Sequence, residues 1–275
     1  MAGDKIRLRF RKTGVLRLLS HLDLVRSTER MLRRAALPFR STAGFHPTPR
    51  MVFALSLPLG ADGLNEVLEV ELTEPLEASD VRERLNRQAP VGLEFTSAKE
   101  IPLKATAVPR SVEYTLDVPA DRVEPARRMA DALMTSEKVW VDRYKPRPRR
   151  LNIRPYLRAL TIDDCRMPND PNADSLSAIG NRQSAINLSL WVTQTGTARA
   201  DELLKLLGLF DLLDAGFVLA RNELALRDET PTDRADGGPP DGPPETAPLD
   251  HAPVETGEAP PEPEWGLSPN GPVVE

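Results

Sequence analysis

The chain has 275 residues, which is enough for one large domain or two small ones, and aromatic side chains make up 5% of it. Its formal net charge of −5 conceals an asymmetry, because residues 228–275 carry 12 acidic side chains and one basic side chain, whereas residues 1–227 carry a net charge of +6. The sequence has a single cysteine, Cys165, and no apolar run of about 18 residues. These features exclude a membrane-spanning helix, an internal disulfide and a zinc or iron–sulfur site built from this chain's cysteines.

Residues 1–12 alternate charged and apolar side chains and lack the apolar centre of a signal peptide, so we expect a cytoplasmic protein with no membrane association. The alternation of Arg7, Arg9 and Arg11 with apolar neighbours predicts a half-buried strand with one cationic face. That face is either a solvated edge strand protected by its charges or a sheet surface that faces phosphate groups.

The first half of the chain predicts the element order β-α-β-β-α-β, which is the signature of a ferredoxin-like sandwich. Ser20 is the predicted cap of the first helix, with Asp23 three residues later, and the apolar face of that helix begins with Leu22 and Val25. The predicted elements are strand 5–12, helix 20–36, an extended chain at 38–41 and 51–57, strand 67–72, a helix from 77 or 79 to 88, and strand 93–101.

The second half repeats this element order without repeating the residues. Its predicted elements are strand 111–118, a helix from 121 or 122 to 134, strand 138–144, strands 156–162 and 186–192, helix 200–209, and strand 217–226. The connection 163–184 is rich in Asp, Asn, Pro and Ser and predicts a mobile loop.

The sequence therefore predicts an α+β fold of two ferredoxin-like βαββαβ units in tandem, residues 1–104 and 105–227. Residues 228–275 are acidic and contain 12 prolines, so we expect a disordered tail there. That tail either increases solubility or competes, as an internal polyanion, for the basic body.

Residues 41–60 form the most unusual stretch. Pro47 and Pro49 remove backbone donors and favour extended neighbours, so the segment predicts a stiff loop before a strand. Phe45, His46 and Arg50 would be displayed there to stack, to hydrogen-bond and to meet a phosphate or carboxylate. The alternative is a rigid strand connection with a structural histidine.

Residues 143–158 are the strongest electrostatic feature, with seven cations and no acid. Prolines stiffen the segment, arginine forks match phosphates, and tyrosine rings stack on unpaired bases. We therefore expect a single-stranded RNA contact surface, with a solvated basic loop as the alternative. The binding residues predicted in this segment are Arg147, Arg149, Arg150, Arg154 and Tyr156.

Enzyme motifs are missing from the sequence, which has no GxxxxGK[ST], GxGxxG or HExxH. His21 and His46, the two histidines before residue 228, are the candidates for a general acid–base pair that cleaves RNA. Cys165 has no histidine near it in the sequence, which argues against a catalytic thiol. We predict no metal and no cofactor, and a protein that is not itself an enzyme.

Three stretches carry a resemblance to a known family: residues 20–60 (SHLDLVRSTERMLRRAALPFRSTAGFHPTPRMVFALSLPLG), 152–158 (NIRPYLR) and 195–209 (TGTARADELLKLLGL). They resemble the bacterial radical SAM-linked protein family, DUF2344, over residues 5–226. The resemblance implies a non-catalytic companion of a B12-binding radical SAM enzyme in RNA or tRNA modification. Asparagine often replaces His46 in that family, which implies a hydrogen-bonding role for this residue.

We therefore expect an accessory protein that binds or presents RNA to its enzyme partner. The alternatives are a stand-alone RNA-processing enzyme and a pure protein-interaction module that docks segment 143–158 on an acidic surface. The first hypothesis further predicts that loop 41–50 and segment 143–158 line one common cationic cleft.

Overall fold

The structure is a computed structural model that describes residues 3–145, 147–164, 184–229, 238–240 and 242–247. Cys165, most of the predicted loop 163–184 and most of the predicted acidic tail lie outside these ranges. The five α-helices in the described ranges are α1 His21–Arg34, α2 Ala78–Asn86, α3 Ala120–Thr135, α4 Ala200–Leu206 and α5 Asp211–Asp214. The strands described are β1 Gly3–Lys12, β2 Met51–Phe53, β3 Asp62–Leu76, β4 Leu93–Glu100, β5 Pro109–Val118, β6 Trp140–Arg143, β7 Arg149–Asn152, β8 Leu157–Asp164, β9 Ser184–Trp191, β10 Ala220–Leu226 and β11 Thr246–Ala247.

One eight-stranded sheet runs through the fold, so the α+β prediction is confirmed. Seven of its strands follow the order β4-β1-β3-β10-β5-β9-β8, and β2 also pairs with β3. Neighbouring strands are antiparallel except β3 and β10, which run parallel and share the pairs Asp62–Ala220 and Gly63–Arg221. A separate three-stranded sheet has the order β11-β7-β6. Because β1 lies between β3 and β4, it is not an edge strand, and that alternative for residues 5–12 is wrong.

Two apolar cores lie on this sheet. The first packs Ile6 and Leu8 of β1 against Met31 of α1 and Val81 of α2. The second is larger and gathers buried side chains of β5, β8, β9 and β10 with those of α3 and α4. None of the helices within the described ranges has the length and apolar character needed to cross a bilayer.

The first helix begins as predicted, because the Ser20 hydroxyl accepts a hydrogen bond from the Asp23 backbone N–H at 3.2 Å. Its buried face is shifted from the predicted one, since Leu24 is buried whereas Leu22 is exposed. Apolar residues at both positions made the two faces hard to distinguish from spacing alone.

A buried ion pair joins the two halves of the sheet where β3 meets β10. Arg221 is fully buried, and its guanidinium donates two hydrogen bonds to the Glu66 carboxylate, one of them at 2.7 Å. It also donates to the carbonyls of Ser56 and Leu55 at 3.1 and 3.2 Å. Burial acts to lower the pKa of Arg221, but the hydrogen bonds to Glu66 outweigh burial and raise that pKa above its ordinary value.

Candidate nucleic-acid interface

Loop 41–50 is braced by its own backbone. The Arg50 N–H donates to the Arg40 carbonyl at 2.7 Å, and the Thr42 N–H donates to the Thr48 carbonyl at 2.8 Å. Inside this narrow ladder, Gly44 has φ of 137°, a conformation that favours glycine. The tip of the loop, residues 43–47, therefore projects from a closed base rather than from a free linker.

The tip displays the residues that the sequence singled out. Phe45 is the most exposed large apolar side chain among the described residues, with its ring fully open to solvent. His46 is exposed beside it. Arg50, at the base of the loop, is half-exposed, with its guanidinium 3.5 Å from the Glu71 carboxylate. Exposure fits the predicted display.

Helix α1 places further arginines next to this loop. The Arg33 guanidinium donates to the Pro47 carbonyl at 3.5 Å and lies 5.3 Å from the centroid of the Phe39 ring. Arg30 and Arg34, which are exposed, occupy the positions three before and one after Arg33 on the same helix. We call loop 41–50 with Arg30, Arg33 and Arg34 the loop–α1 surface. No local sequence pattern connects these arginines with the loop.

The predicted His21–His46 acid–base pair is not assembled. His21 begins α1, and its ring stacks edge-on against Phe53 with 5.5 Å between centroids. His46 lies one residue before Pro47, which contacts Arg33 near the end of α1. Arg33 lies twelve positions after His21 on this helix, or about 18 Å along the axis. The two imidazoles therefore lie near opposite ends of α1.

Segment 143–158 divides into exposed and structural residues. Arg147 and Arg149 are exposed, and Arg150 is paired with Asp142 at 2.9 Å. Arg154 donates to the carbonyls of Met134, Ser136 and Leu157 at 2.7, 3.1 and 3.3 Å, so it satisfies acceptors at the end of α3.

The prediction that Tyr156 stacks on a base is corrected by its burial. Its side chain is 1% exposed and belongs to the larger core. Residues 154–156 form a short 3-10 helix that turns the ring inward, and a Cβ added at Gly196 would lie 2.9 Å from its hydroxyl. Flanking cations in the sequence indicated a surface position, whereas the apolar neighbours Ile153 and Leu157 share its burial.

Loop 41–50 and residues 149–152 of segment 143–158 are attached to different sheets, whereas the end of that segment enters β8 of the large sheet. The loop leads into β2, which pairs with β3 of the large sheet. Residues 149–152 pair with β6 and β11 in the small sheet. The common cleft stays a prediction.

A second cationic cluster lies on β1 and β4, and carboxylates from after β10 occupy it. Arg7 donates to Asp228 and Glu229 at 3.0 and 2.9 Å, while Arg9 and Lys99 also pair with Glu229. Burial acts to raise the pKa of Glu229, but the hydrogen bonds from Lys99, Arg7 and Arg9 outweigh it and lower that pKa to about 2. We call Arg7, Arg9 and Lys99 the β1–β4 cation cluster.

This cluster excludes one of the two interpretations of residues 5–12, the solvated edge strand. Arg7 is buried and charge-paired, so its side chain is not part of a solvated edge. The first residues of the predicted tail, Asp228 and Glu229, are bound to the body. Sequence reasoning noted the alternating arginines and the acidic segment separately, and their opposite charges were the signal that could have joined them.

A polar groove of about 520 Å³ crosses β5, β8, β9 and β10. Its side chains are bonded mainly to one another: Asn222 donates to Thr115, Thr115 to Asn187, and Asn187 to Asp163, at 2.5, 2.8 and 2.7 Å. Trp191 is buried between Arg110 and Arg158, 5.2 and 5.1 Å from its ring. Tyr114, which lines the groove, is also buried, so the described lining residues offer no exposed ring on which a base could stack.

Comparisons with known proteins identify the family of the chain. No curated protein matches the chain. A solved structure, titled "Crystal Structure of an Unknown Protein from Galdieria sulphuraria", aligns at 11% identity over 81% of this chain and 99% of that chain, with a TM-score of 0.23. A likeness at that score supports no argument. The model of DUF2344, described as an uncharacterized protein conserved in bacteria, matches residues 5–197, and the chain therefore belongs to the DUF2344 family.

Proposed function

We propose that this protein is a non-catalytic RNA-binding companion of a B12-binding radical SAM enzyme and presents RNA or tRNA to it for modification. The RNA-binding part rests on one observation, the fully exposed Phe45 ring on a braced loop beside the arginines of α1. The enzyme partner rests on the family resemblance of residues 20–60, 152–158 and 195–209.

Phe45 has the properties of a stacking platform. Burying a phenylalanine side chain contributes about 1.5–3 kcal/mol, so a ring held fully in solvent forgoes that gain until a partner covers it. Stacking of an unpaired base on an aromatic side chain contributes about 1–3 kcal/mol. The closed base of the loop reduces the entropy lost when the ring is engaged.

The arginines of α1 supply the matching charge. Arg30 and Arg34 are four residues apart, so their side chains are neighbours on one helix face. Guanidinium groups bind phosphates through two parallel hydrogen bonds, and both side chains are exposed. Arg33 holds the loop against this face through Pro47. A strand that stacks a base on Phe45 therefore meets cations within the same surface.

We assign Arg147 and Arg149 to the same RNA interface, because both are exposed. Arg150, Arg154 and Tyr156 are left out of it, since their side chains already serve contacts within the fold. Three predicted residues thus leave the interface, and the three arginines of α1 join it.

We also propose that the scaffold consists of two ferredoxin-like units. In the first half, β4, β1, β3 and β2 are neighbours in that order and antiparallel, with α1 and α2 in the expected connections. In the second half, β10, β5, β9 and β8 follow the equivalent order. Sheets of this topology carry many unrelated functions, so the topology supports the scaffold and not the activity.

Fluorescence anisotropy with labelled single-stranded RNA and tRNA tests the function. We expect binding that weakens steeply with salt, and a loss of about 5-fold or more for Phe45→Ala, in line with one lost stacking contact. Val91→Ala is the matched control, because Val91 is also an exposed apolar residue but lies on the α2–β4 connection. Salt-independent affinity, or equal binding by Phe45→Ala and Val91→Ala, would remove the proposal.

The arginines have their own test in the salt dependence. Arg30→Gln with Arg34→Gln should reduce the slope of log affinity against log salt by about 1–2, because each phosphate contact releases counterions. Arg87→Gln is the control, since Arg87 is an exposed arginine at the C-cap of α2 that pairs with Glu83. An unchanged slope in the double variant argues against phosphate contacts on α1.

A second candidate function, a protein-interaction module, is favoured by an exposed apolar surface. Two backbone hydrogen bonds, from Thr13 to Gly92 and from Gly60 to Arg17, draw two loops to the 3-10 helix Gly14–Leu18. The exposed apolar side chains of these segments are Val15, Leu18, Leu59 and Val91. A pull-down after nuclease treatment distinguishes the functions. This surface is supported if the unchanged chain still retains the radical SAM enzyme after nuclease and Leu18→Asp does not. Loss of the enzyme from the unchanged chain after nuclease treatment argues against it.

A further inference from the structure

We propose that the β1–β4 cation cluster is a phosphate-binding site that the chain fills with its own Glu229 carboxylate. The site is separate from the loop–α1 surface, and the inference does not depend on RNA binding there. Its ligand class is a phosphate group, either of a free phosphate compound or of an RNA backbone.

The sheet register makes an anion necessary at this point. Arg7 of β1 lies directly opposite Lys99 of β4, and like charges on paired strands repel each other. Arg9 adds a third cation two residues along β1, and its guanidinium also reaches Glu229. Arg7, Arg9 and Lys99 therefore converge on the Glu229 carboxylate. That carboxylate comes from after β10 and not from β1 or its neighbours β3 and β4.

The sheet's own acids do not neutralise the cluster. Glu69 of β3 pairs with Arg7 at 2.9 Å, but it also pairs with Lys5 at 2.9 Å. Glu223 lies 3.4 Å from Arg9 and also accepts from Asn65 at 2.7 Å. Glu69 and Glu223 thus serve three cations, and Asp228 and Glu229 supply further carboxylates to Arg7, Arg9 and Lys99.

The Arg7 guanidinium indicates that the carboxylates are an incomplete match. Its side chain is 1% exposed, its Nε donates to Glu69, and its Nη1 donates to Asp228 and Glu229. Its Nη2 is buried and has no hydrogen-bond partner among the described residues. A phosphate offers more acceptor oxygens than one carboxylate and is suited to the fork of an arginine. The carboxylates around Arg7 therefore leave one donor of its guanidinium unmet.

Displacement requires little rearrangement of the fold. Strand β10 ends at Leu226, and the Arg227 N–H is tied to the Val108 carbonyl at 2.9 Å. Asp228 and Glu229 follow in a turn, with the Glu229 N–H 3.3 Å from the Leu226 carbonyl. A ligand would move these two residues and leave the strand pairing of β10 in place.

Calorimetric titration of the full chain with sodium pyrophosphate tests the site. We expect Asp228→Asn with Glu229→Gln to bind pyrophosphate at least about 10-fold more tightly than the unchanged chain, because the internal competitor is gone. Adding Lys99→Gln should abolish that gain. Lys99 is half-exposed, so its replacement should leave the fold intact, which circular dichroism checks. Glu245→Gln is the control, since Glu245 pairs instead with Lys138.

An RNA arm of the same experiment identifies the source of the phosphate. Tighter binding of pyrophosphate alone assigns the site to free phosphate compounds, and tighter binding of both pyrophosphate and a short RNA assigns it to backbone phosphates. Unchanged affinity for both probes after loss of the two carboxylates overturns the proposal. So does a gain that survives Lys99→Gln or that Glu245→Gln reproduces.

Discussion

Replacing Glu66 with glutamine is expected to destabilise the protein strongly, because it leaves the Arg221 charge buried without its counter-ion. Arg221 is 0% exposed, and the Glu66 side chain is 3% exposed. Breaking a buried pair by removing one partner costs about 3–5 kcal/mol. Glutamine can still accept one hydrogen bond, and the carbonyls of Leu55 and Ser56 remain, so we expect about 3 kcal/mol.

The site of the pair gives the substitution a second consequence. Only two residue pairs join the described strands β3 and β10. Side-chain contacts therefore contribute much of the connection between the two halves of the sheet. Unfolding in urea, followed in parallel by far-ultraviolet circular dichroism and tryptophan fluorescence, should show the two transitions separating in Glu66→Gln. The described tryptophans, Trp140 and Trp191, both report on the second half.

The double variant Glu66→Leu with Arg221→Met provides the control. Replacing both charges removes the unpaired ion, so the double variant should recover most of the loss in unfolding free energy. A loss of unfolding free energy below about 1 kcal/mol in Glu66→Gln would refute the reasoning. So would a double variant that is less stable than Glu66→Leu alone and Arg221→Met alone.

Three further substitutions test other parts of the account. Glu229→Gln should lower the unfolding free energy by about 1 kcal/mol, after solvent screening, at pH values above 4.5. This loss should shrink as the pH falls towards about 2, because the pKa of Glu229 is lowered in the folded state. A loss that is independent of pH contradicts the ion pairing. Gly92→Ala should lower the unfolding free energy measured in urea by about 2 kcal/mol or more. The reason is that φ of Gly92 is 92° and an added Cβ would lie 2.5 Å from the Thr13 carbonyl oxygen. A neutral effect would show that the loop relaxes and would contradict this strain. Arg154→Ala should lower the unfolding free energy by about 2 kcal/mol, because it leaves carbonyls at the end of α3 without their hydrogen bonds. It should leave the affinity for RNA unchanged. A loss of RNA affinity without a loss of stability would return Arg154 to the interface.

Local patterns were sufficient for most of the secondary structure. The Ser20 cap, the alternation at residues 5–12 and the paired strands before and after the connection 163–184 all predicted elements that the structure contains. The short strand β7 was missed, because its four residues are half cationic and resemble an exposed loop. Its pairing with β6 depends on tertiary contacts that no local pattern encodes.

The candidate site was harder to predict, because its determinants are distant in sequence. Phe45 was correctly placed on display, since prolines and glycine define the loop locally. Tyr156 was placed wrongly, because the surrounding charge said nothing about which way a 3-10 turn would direct the ring. The Arg7–Glu229 pair spans 222 positions, so only the fold could join the two charges.

The central claim is that RNA contacts the loop–α1 surface, and photo-crosslinking tests it most directly. A 4-thiouridine-containing RNA is irradiated with the full chain, and the crosslinked peptides are identified by mass spectrometry. The account predicts crosslinks at Phe45 or His46 that disappear in Phe45→Ala. Crosslinks confined to the polar groove of β5, β8, β9 and β10, with none in loop 41–50, would contradict it.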